Sequence, residues 1–279
     1  MEFIDFRSLR RSSKIELLFP GWKKGEKVVF FSPHDDDAAL GAGYLLLATV
    51  ENKGFPCIFI FCSGNAGYST PEEKGTIVST RKKEAVVAYR ELGVEKKNIF
   101  FFDIPDFSLM ASVNREGRTG KSLFDRIVRF FRAQKISRVV FPSDHYEHWD
   151  HTAAFGHGIY TSPQAGDPIL ADLGTPHAVR SYLVYSVWGD FEPQSGRNRQ
   201  KGVRAGLGIL VHEKQETAVR RALGRFVSQG KIMQNTVAIL RERRSSEEGF
   251  LELYKEADVR KLIDFEPYFQ LLKNCRKIS

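Results

Sequence analysis

The spacing of apolar residues along the chain predicts strands that alternate with helices. Four continuous apolar runs are typical of strands that are buried on both faces of a sheet. Between these runs, apolar residues recur at helical spacing. Such alternation favours β-α-β units, so we expect a Rossmann-like, three-layer α/β/α fold with a mainly parallel sheet. The predicted strands are 27–32, 57–62, 99–102 and 138–141, and the predicted helices are 38–52, 81–92 and 124–133.

The remainder of the chain carries weaker signals. Residues 1–24 are expected to form an N-terminal arm with a helix over 9–18. Gly189–Gly206 is polar and contains four basic residues, so we expect either a lid or a solvated surface loop. No linker or internal repeat interrupts the sequence, which favours a single domain over 1–279. Further strands are predicted at 181–188 and 207–211, and further helices at 213–227 and 247–263.

Composition and charge limit the function classes. The chain has 279 residues, of which 42% are hydrophobic, enough for a large core. No apolar run approaches the roughly 20 residues that span a bilayer, and the three cysteines give little sign of disulfides, so a cytoplasmic protein is expected. The net charge is +8, but the basic residues are scattered rather than clustered. This distribution disfavours nucleic-acid binding and suits an anionic small substrate.

Ionisable side chains follow the first predicted strand directly. A histidine and three consecutive aspartates, His34 to Asp37, stand between an apolar strand and a helix-like pattern. Removing an unpaired carboxylate from water costs several kcal/mol, and neighbouring like charges raise one another's pKa values. A divalent metal ion would relieve both effects, so this segment is a candidate metal site.

A second cluster of histidines and acids, Asp144 to His151, follows the fourth predicted strand. The carboxyl ends of parallel strands meet at one edge of a sheet, so the two clusters can converge there. Two histidines with one carboxylate leave a position open for water, which is the arrangement of catalytic zinc. Asp144 could orient a metal ligand, whereas His145 and His157 are expected to be structural or surface residues.

The two clusters resemble the motifs of the PIG-L/LmbE-like family of zinc-dependent N-deacetylases. His34–Ala38 resembles the family's His-Pro-Asp-Asp-Glu motif, and His148–His151 resembles its His-x-Asp-His motif. Members of the family act on N-acetylglucosamine attached to inositol, malate, other sugars or related groups. Weaker matches are the Arg-x-x-Glu helix at Arg81–Glu84, and a late segment with Lys214 and Ser228-Gln229.

The resemblance implies a role for each charged residue. Asp36 is implied as the general base that accepts a proton from water as zinc-hydroxide attacks the amide, and that then protonates the departing amine. His148, oriented by Asp150, is implied to stabilise the oxyanion in its protonated form. The cofactor implied is Zn²⁺, with Fe²⁺ and Mn²⁺ left open. The implied metal ligands are His34, Asp37 and His151.

Substrate contacts are less firmly indicated. Arg81 could bind a phosphate, carboxylate or sugar hydroxyl, or form a salt bridge with a nearby acid. Asp106 could contact substrate or cap a helix. Asp35, Ala38 and Phe226 depart from the Pro, Glu and His usual in the family, and the extra charge of Asp35 could tighten the metal or bind a substrate hydroxyl.

The expected function is therefore removal of an acetyl group from an N-acetylglucosamine-type conjugate. Three alternatives stay open: an amidase acting on a non-sugar N-acyl substrate, a catalytically altered carbohydrate-binding member of the family, and a ferrous oxygenase, which the α/β pattern disfavours. A Rossmann dinucleotide enzyme is disfavoured because no Gly-x-Gly-x-x-Gly follows the first strand. The expected partner is a small sugar conjugate, and the sequence leaves open whether the chain forms a homo-oligomer.

Overall fold

The computed structural model describes residues 1–113, 122–145, 147–188, 191–193, 203–260 and 262–275. In these parts of the chain, ten strands form one mixed sheet, and two short strands pair separately. The strands are β1 (Glu2–Asp5), β2 (Arg10–Ser12), β3 (Lys27–Ser32), β4 (Phe55–Cys62), β5 (Ile99–Ile104), β6 (Arg138–Pro142), β7 (Ser181–Tyr185), β8 (Phe191–Pro193), β9 (Val203–Ala205), β10 (Leu207–Val211), β11 (Ser245–Ser246) and β12 (Gly249–Glu256). The helices are α1 (Asp37–Glu51), α2 (Ile77–Glu91), α3 (Leu123–Gln134), α4 (Trp149–Gly156), α5 (Glu213–Leu223), α6 (Gly230–Arg244) and α7 (Glu266–Leu272).

The sheet runs in the order β2-β1-β10-β12-β7-β6-β3-β4-β5, with β11 paired to β12. The five strands from β7 to β5 are parallel, and they confirm the predicted strands and the helices between them with small shifts at the ends. Strands β3 and β6 are neighbours although they are not consecutive in the chain. The direction of winding therefore reverses between them, which opens a crevice beyond their carboxyl ends.

Strand β3 shows why the fold has three layers. Its side chains point alternately to the two faces of the sheet. Val28 and Phe30 belong to one core cluster with α1, α2 and α5, whereas Val29 and Phe31 belong to a second cluster with α3 and α4. An apolar run without alternation therefore places a hydrophobic layer on each face, and the predicted α/β/α class is confirmed.

The other half of the sheet is antiparallel and corrects two predictions. The helix predicted over 9–18 is wrong, because β2 pairs with β1 there and only a short 3₁₀ turn, Ile15–Leu17, follows. The helix predicted over 247–263 is also wrong, because β12 pairs with β10 and β7. In β12 every second residue is buried, and one of them, Glu252, is charged. That charge hides the period-two pattern of a strand.

Helix α1 is interrupted at Ala42, which has non-helical dihedral angles. The interruption is stabilised by two charged side chains. The backbone N–H groups of Tyr44 and Leu45 donate to Glu252 over 3.1 and 3.3 Å, and Arg244 donates to the carbonyl of Leu40 over 2.6 Å. Each half of the helix therefore has a charge of the favourable sign at its inner end.

None of the helices in the described parts of the chain has the length and hydrophobicity needed to cross a bilayer. Most of Gly189–Gly206, the predicted lid or surface loop, lies outside the described residues; within it, β8 and β9 form a short parallel pair.

Candidate metal and catalytic site

The loop after β3 and the segment after β6 meet at the crevice between these strands. Hydrogen bonds hold the first loop in a tight turn. Ser32 Oγ donates to the carbonyl of His34 over 2.5 Å and accepts from the N–H of Ala38 over 3.0 Å. The N–H of His34 donates to Asp37 Oδ2 over 2.7 Å. These bonds direct the charged side chains of the loop toward the second segment.

His34, Asp37 and His151 come together in this crevice. Asp37 Oδ2 lies 3.2 Å from His34 Nδ1 and 3.2 Å from His151 Nε2. One ligand atom from each residue lies within 4.8 Å of the others. Two histidines and one carboxylate have therefore converged from two distant segments, as the sequence predicted.

These residues fit a divalent metal ion. Ligand atoms bound at about 2.0–2.1 Å to a tetrahedral zinc ion lie about 3.3 Å from one another, close to the separations at Asp37. The side chains of Asp37 and His151 are 4% and 1% exposed, so solvent does little to stabilise their charges. Two imidazoles with a carboxylate also suit Fe²⁺ and Mn²⁺.

Two further groups of possible ligands share His34. One contains His148 and Asp150, and the other contains Cys62 and Asp106. His34 Nε2 lies 3.4 Å from Asp150 Oδ2, whereas His34 Nδ1 faces Asp37. The two nitrogens of this ring therefore face different carboxylates.

Electrostatic coupling within the cluster shifts the pKa values of its members in opposite directions. Burial alone would raise the pKa of Asp37, but His151 and His34 hold it well below its usual range. Burial alone would lower the pKa of His151, but Asp37 and Glu147 raise it to about 9. The pKa of His34 is likewise raised well above its usual value, because Asp150 and Asp37 outweigh burial.

Glu147 is a site residue that the sequence analysis missed. Its Oε2 lies 3.1 Å from His151 Nδ1, although the two atoms are not aligned for a hydrogen bond. Its Oε1 accepts from Ser186 Oγ over 2.8 Å and from the N–H of Val187 over 2.9 Å. A carboxylate behind a metal-binding imidazole fixes the orientation of the ring. Asp144, predicted for this role, is exposed; the (i, i+4) spacing of Glu147 and His151 was the available signal.

Asp36 lies beside the proposed metal ligands without belonging to their cluster. The residue is partly exposed, yet protein atoms crowd its carboxyl group. This loss of solvation, together with the charges of Asp35 and Asp37, raises the pKa of Asp36 to about 7. A carboxyl group with that pKa can both accept and donate a proton near neutral pH.

His148 and Asp150 are held at the start of α4. His148 Nδ1 accepts from the N–H of Asp150 over 3.2 Å, so the neutral ring carries its proton on Nε2. Burial and the neighbouring His34 lower the pKa of His148. The carboxylate of Asp150 accepts from the N–H groups of Phe107 and Leu109 over 2.8 and 3.2 Å. Asp150 therefore orients His148 mainly through its backbone, and its carboxylate faces His34.

The sequence model of the PIG-L family, described as GlcNAc-PI de-N-acetylase, matches residues 29–159. That range begins in β3 and ends after α4, so it contains both segments of the cluster. This chain contains a PIG-L family domain.

Solved structures share the fold of this PIG-L domain protein. An N,N'-diacetylchitobiose deacetylase from Pyrococcus horikoshii is 16% identical, with a TM-score of 0.62 over 83% of this chain and 84% of that one. GalB, a 4-carboxy-2-hydroxymuconate hydratase from Pseudomonas putida KT2440, is 15% identical, with a TM-score of 0.64 over 86% and 99%. A deacetylase of the teicoplanin biosynthetic pathway is 16% identical, with a TM-score of 0.59 over 83% and 99%. No curated protein matches the sequence.

The neighbours confirm the architecture, and they include both deacetylases and a hydratase. The shared fold therefore does not by itself specify the reaction. The deacetylase assignment rests on the family match over the residues that form the cluster.

One departure of this PIG-L domain from the family pattern has a structural explanation. The carboxylate of Asp35 accepts two hydrogen bonds from the guanidinium group of Arg81, one of them from Nε over 3.1 Å. Arg81 packs beneath Gly64 and Gly67, where a Cβ atom would approach its side chain to 2.8 and 2.1 Å. Asp106 accepts from the N–H groups of Gly64 and Ala66 and so fixes this loop. Contact of Arg81, Asp35 and Asp106 with substrate stays a prediction.

The other two departures are buried apolar residues. Phe226 is buried in the core cluster that also contains residues of α1 and α2, and Ala38 is fully buried at the start of α1. Glu84 does not pair with Arg81; it accepts from the N–H and Oγ of Ser228 over 2.9 and 2.6 Å. His157 is buried between Ser112 and Thr161, which agrees with the structural role predicted for it.

Proposed function

We propose that this protein is a metal-dependent N-deacetylase that removes the acetyl group from an N-acetylglucosamine-type conjugate. One observation carries the proposal: a cluster of two histidines and one aspartate lies beside a second aspartate whose pKa is about 7. A metal site and a proton-transfer group are the two parts that amide hydrolysis needs at neutral pH. The family match agrees with this chemistry.

His34, Asp37 and His151 would hold the ion, and zinc is the metal we propose. The donor set and its spacing suit Zn²⁺. A teicoplanin deacetylase of the same fold has a zinc-inhibited form, which supports metal binding by this fold and does not bear on which metal is active. A divalent ion held there supplies Lewis acidity to the reaction. Glu147 would orient His151, so that Nε2 faces the ion.

Asp36 would carry protons in both halves of the reaction. Its carboxylate would accept a proton as water attacks the acetamide carbonyl. The same carboxyl group would then protonate the departing amine, because an amine leaves poorly without a proton. Asp37 cannot share this role, since its oxygen faces the two metal-binding imidazoles.

His148 would stabilise the oxyanion as a hydrogen-bond donor. The family resemblance implies a protonated ring in this role, but the lowered pKa of His148 favours the neutral form. A neutral ring whose Nδ1 accepts from the backbone still presents an N–H at Nε2. Such a donor can stabilise negative charge that develops on the carbonyl oxygen.

The proposal is tested by measuring free amine and acetate from a panel of acetylated compounds. The panel contains glycosides of N-acetylglucosamine, a disaccharide of N-acetylglucosamine and a non-sugar acetamide. We expect equimolar amine and acetate from the sugars, loss of both products with a chelator, and recovery with zinc. Release from the non-sugar acetamide alone would favour a general amidase. No release from any compound by zinc-loaded protein would contradict the proposal and favour a binding role.

A further inference from the structure

Three exposed aromatic residues are hydrogen-bonded to residues of the candidate site through their backbone or lie next to them in the sequence. Phe107, Trp149 and Trp188 are 67%, 71% and 48% exposed. Trp149 stands between His148 and Asp150 in the sequence. Large aromatic side chains bury much of their area when they serve a protein core, so these three do little for the stability of the fold.

Phe107 is held in an unusual backbone conformation. Its φ angle is +66°, a region that a bulky residue other than glycine rarely adopts. The N–H of Phe107 donates to Asp150 Oδ2 over 2.8 Å, which fixes that conformation. The centre of its ring lies 4.8 Å from the centre of the His148 ring. Backbone strain that sets an exposed ring beside a candidate catalytic histidine is typical of a functional position.

Trp188 is fixed to the other side of the cluster. Its N–H donates to Glu147 Oε1 over 3.1 Å, and the other oxygen of Glu147 faces His151. Two of the three carboxylates that contact the histidines of the site, Asp150 and Glu147, therefore also bind the backbone of an exposed aromatic residue. The backbones of Phe107 and Trp188 are therefore anchored to carboxylates of the candidate site, and Trp149 follows His148 directly in the chain.

We propose that Phe107, Trp149 and Trp188 form an aromatic rim that binds the part of the substrate attached to the acetylated sugar. This inference rests on the proposed deacetylase function. An aromatic face binds flat apolar surfaces, so the attached group would present such a face. An aryl aglycone and the C–H face of a second sugar ring both meet this requirement, and a methyl group does not.

The rim is tested by calorimetric titration with three glycosides of N-acetylglucosamine: methyl, phenyl and a second N-acetylglucosamine unit. We expect the phenyl glycoside, the disaccharide or both to bind about tenfold more tightly than the methyl glycoside. The ligand with the advantage identifies the source of the apolar face. Phe107→Asn and Trp149→Ala should each reduce that advantage by about three- to tenfold, the range expected for one aromatic contact.

The variants are chosen to separate loss of the ring from loss of the fold. Asparagine tolerates a positive φ angle, so Phe107→Asn removes the ring and keeps the backbone. Tyr160→Ala is the matched control, because Tyr160 is 68% exposed and lies in a π-helical turn, His157–Thr161, whose histidine faces the core. Trp188→Ala tests the third ring separately.

Equal affinity for the three glycosides, including no binding of any, would overturn the rim. The rim would also be overturned if Tyr160→Ala reduced the affinity advantage over the methyl glycoside as much as Phe107→Asn and Trp149→Ala do. Failure of the deacetylase proposal has a different signature. In that case the zinc-loaded protein releases no amine, while the ligand preference and its dependence on Phe107 and Trp149 persist.

Discussion

Arg81 and Asp35 form a buried, two-bond ion pair beside the candidate metal cluster. Asp35 stands where the family pattern has proline, and the pair supplies the partner that its charge requires. Arg81 Nε lies 3.1 Å from Asp35 Oδ2, so Asp35 occupies the edge of the guanidinium group that carries Nε. Asp35 is therefore tied to α2 as well as to the loop after β3.

Removing one partner of this pair should destabilise the protein strongly. Arg81→Met leaves the Asp35 carboxylate buried without its partner, and we expect a loss of about 3–5 kcal/mol in the free energy of unfolding. Arg225→Met is the control, because Arg225 is 47% exposed in its pair with Glu91 and should lose less than about 1 kcal/mol. Urea unfolding measures both. If the two variants lost the same free energy of unfolding, and Arg81→Met had a raised KM, a role of Arg81 in substrate binding would be favoured instead.

Neighbouring aspartates should have separate roles. Asp36→Asn should keep the metal and lose about 10²–10⁴-fold in turnover, because only proton transfer is removed. His151→Ala should lose the metal, because one of three proposed ligands is removed. Elemental analysis of each purified variant, beside its rate of amine release, distinguishes the two effects. Equal metal loss from both variants would contradict this division.

Glu147→Gln tests the orientation of His151. The amide can still accept the backbone N–H bonds of Val187 and Trp188, but the negative charge beside His151 Nδ1 is lost. We expect zinc affinity to fall by about 10–100-fold, the usual effect of removing a carboxylate that supports a ligand. Glu95→Gln, at a surface salt bridge with Lys97, is the control. The idea fails if competition with a fluorescent chelator gives both variants the same affinity.

Metal affinity should rise with pH. The pKa of His151 is about 9 and that of His34 is raised well above its usual value, so protons compete with a metal ion for both rings. Binding must displace these protons, and each displaced proton makes the affinity rise about tenfold per pH unit below the pKa. Chelator competition between about pH 6 and pH 8 measures the slope. Affinity that is constant over this range would show that neither ring is protonated in the free site.

Glu252 should make the stability of the protein depend on pH. Burial raises its pKa from 4.5 to about 7, more than Arg244 and Tyr254 lower it. Between these two values the unfolded chain gives up the proton more readily than the folded chain, so stability falls as pH rises through this window. Glu252→Gln should reduce this decrease in the free energy of unfolding by on the order of 2 kcal/mol.

The Glu252 effect is measured by urea unfolding at the two ends of the window, with Glu247→Gln, at an exposed position, as the control. The two variants should differ in their pH dependence, because only Glu252 titrates inside the core. The same pH dependence in Glu252→Gln and wild type would count against the raised pKa.

The parallel half of the fold can be predicted from local sequence patterns alone. The strands β3 to β6 and the helices between them follow from apolar runs and helical periodicity, which are local properties. The convergence of two charged segments can also be predicted, because His34–Asp37 and Asp144–His151 follow strands directly, and parallel strands end at one edge of a sheet.

The partners of the buried charged residues, in contrast, depend on how the whole chain packs. Asp35 pairs with Arg81 across 46 positions, and Glu252 accepts from the backbone of α1 across about 200 positions. Glu252 also hid β12, because a charged residue at a buried position breaks the alternation that marks a strand. A buried charge takes its partner from wherever packing brings one within hydrogen-bonding distance. That distance depends on the packed chain as a whole, and neighbouring residues in the sequence do not encode it.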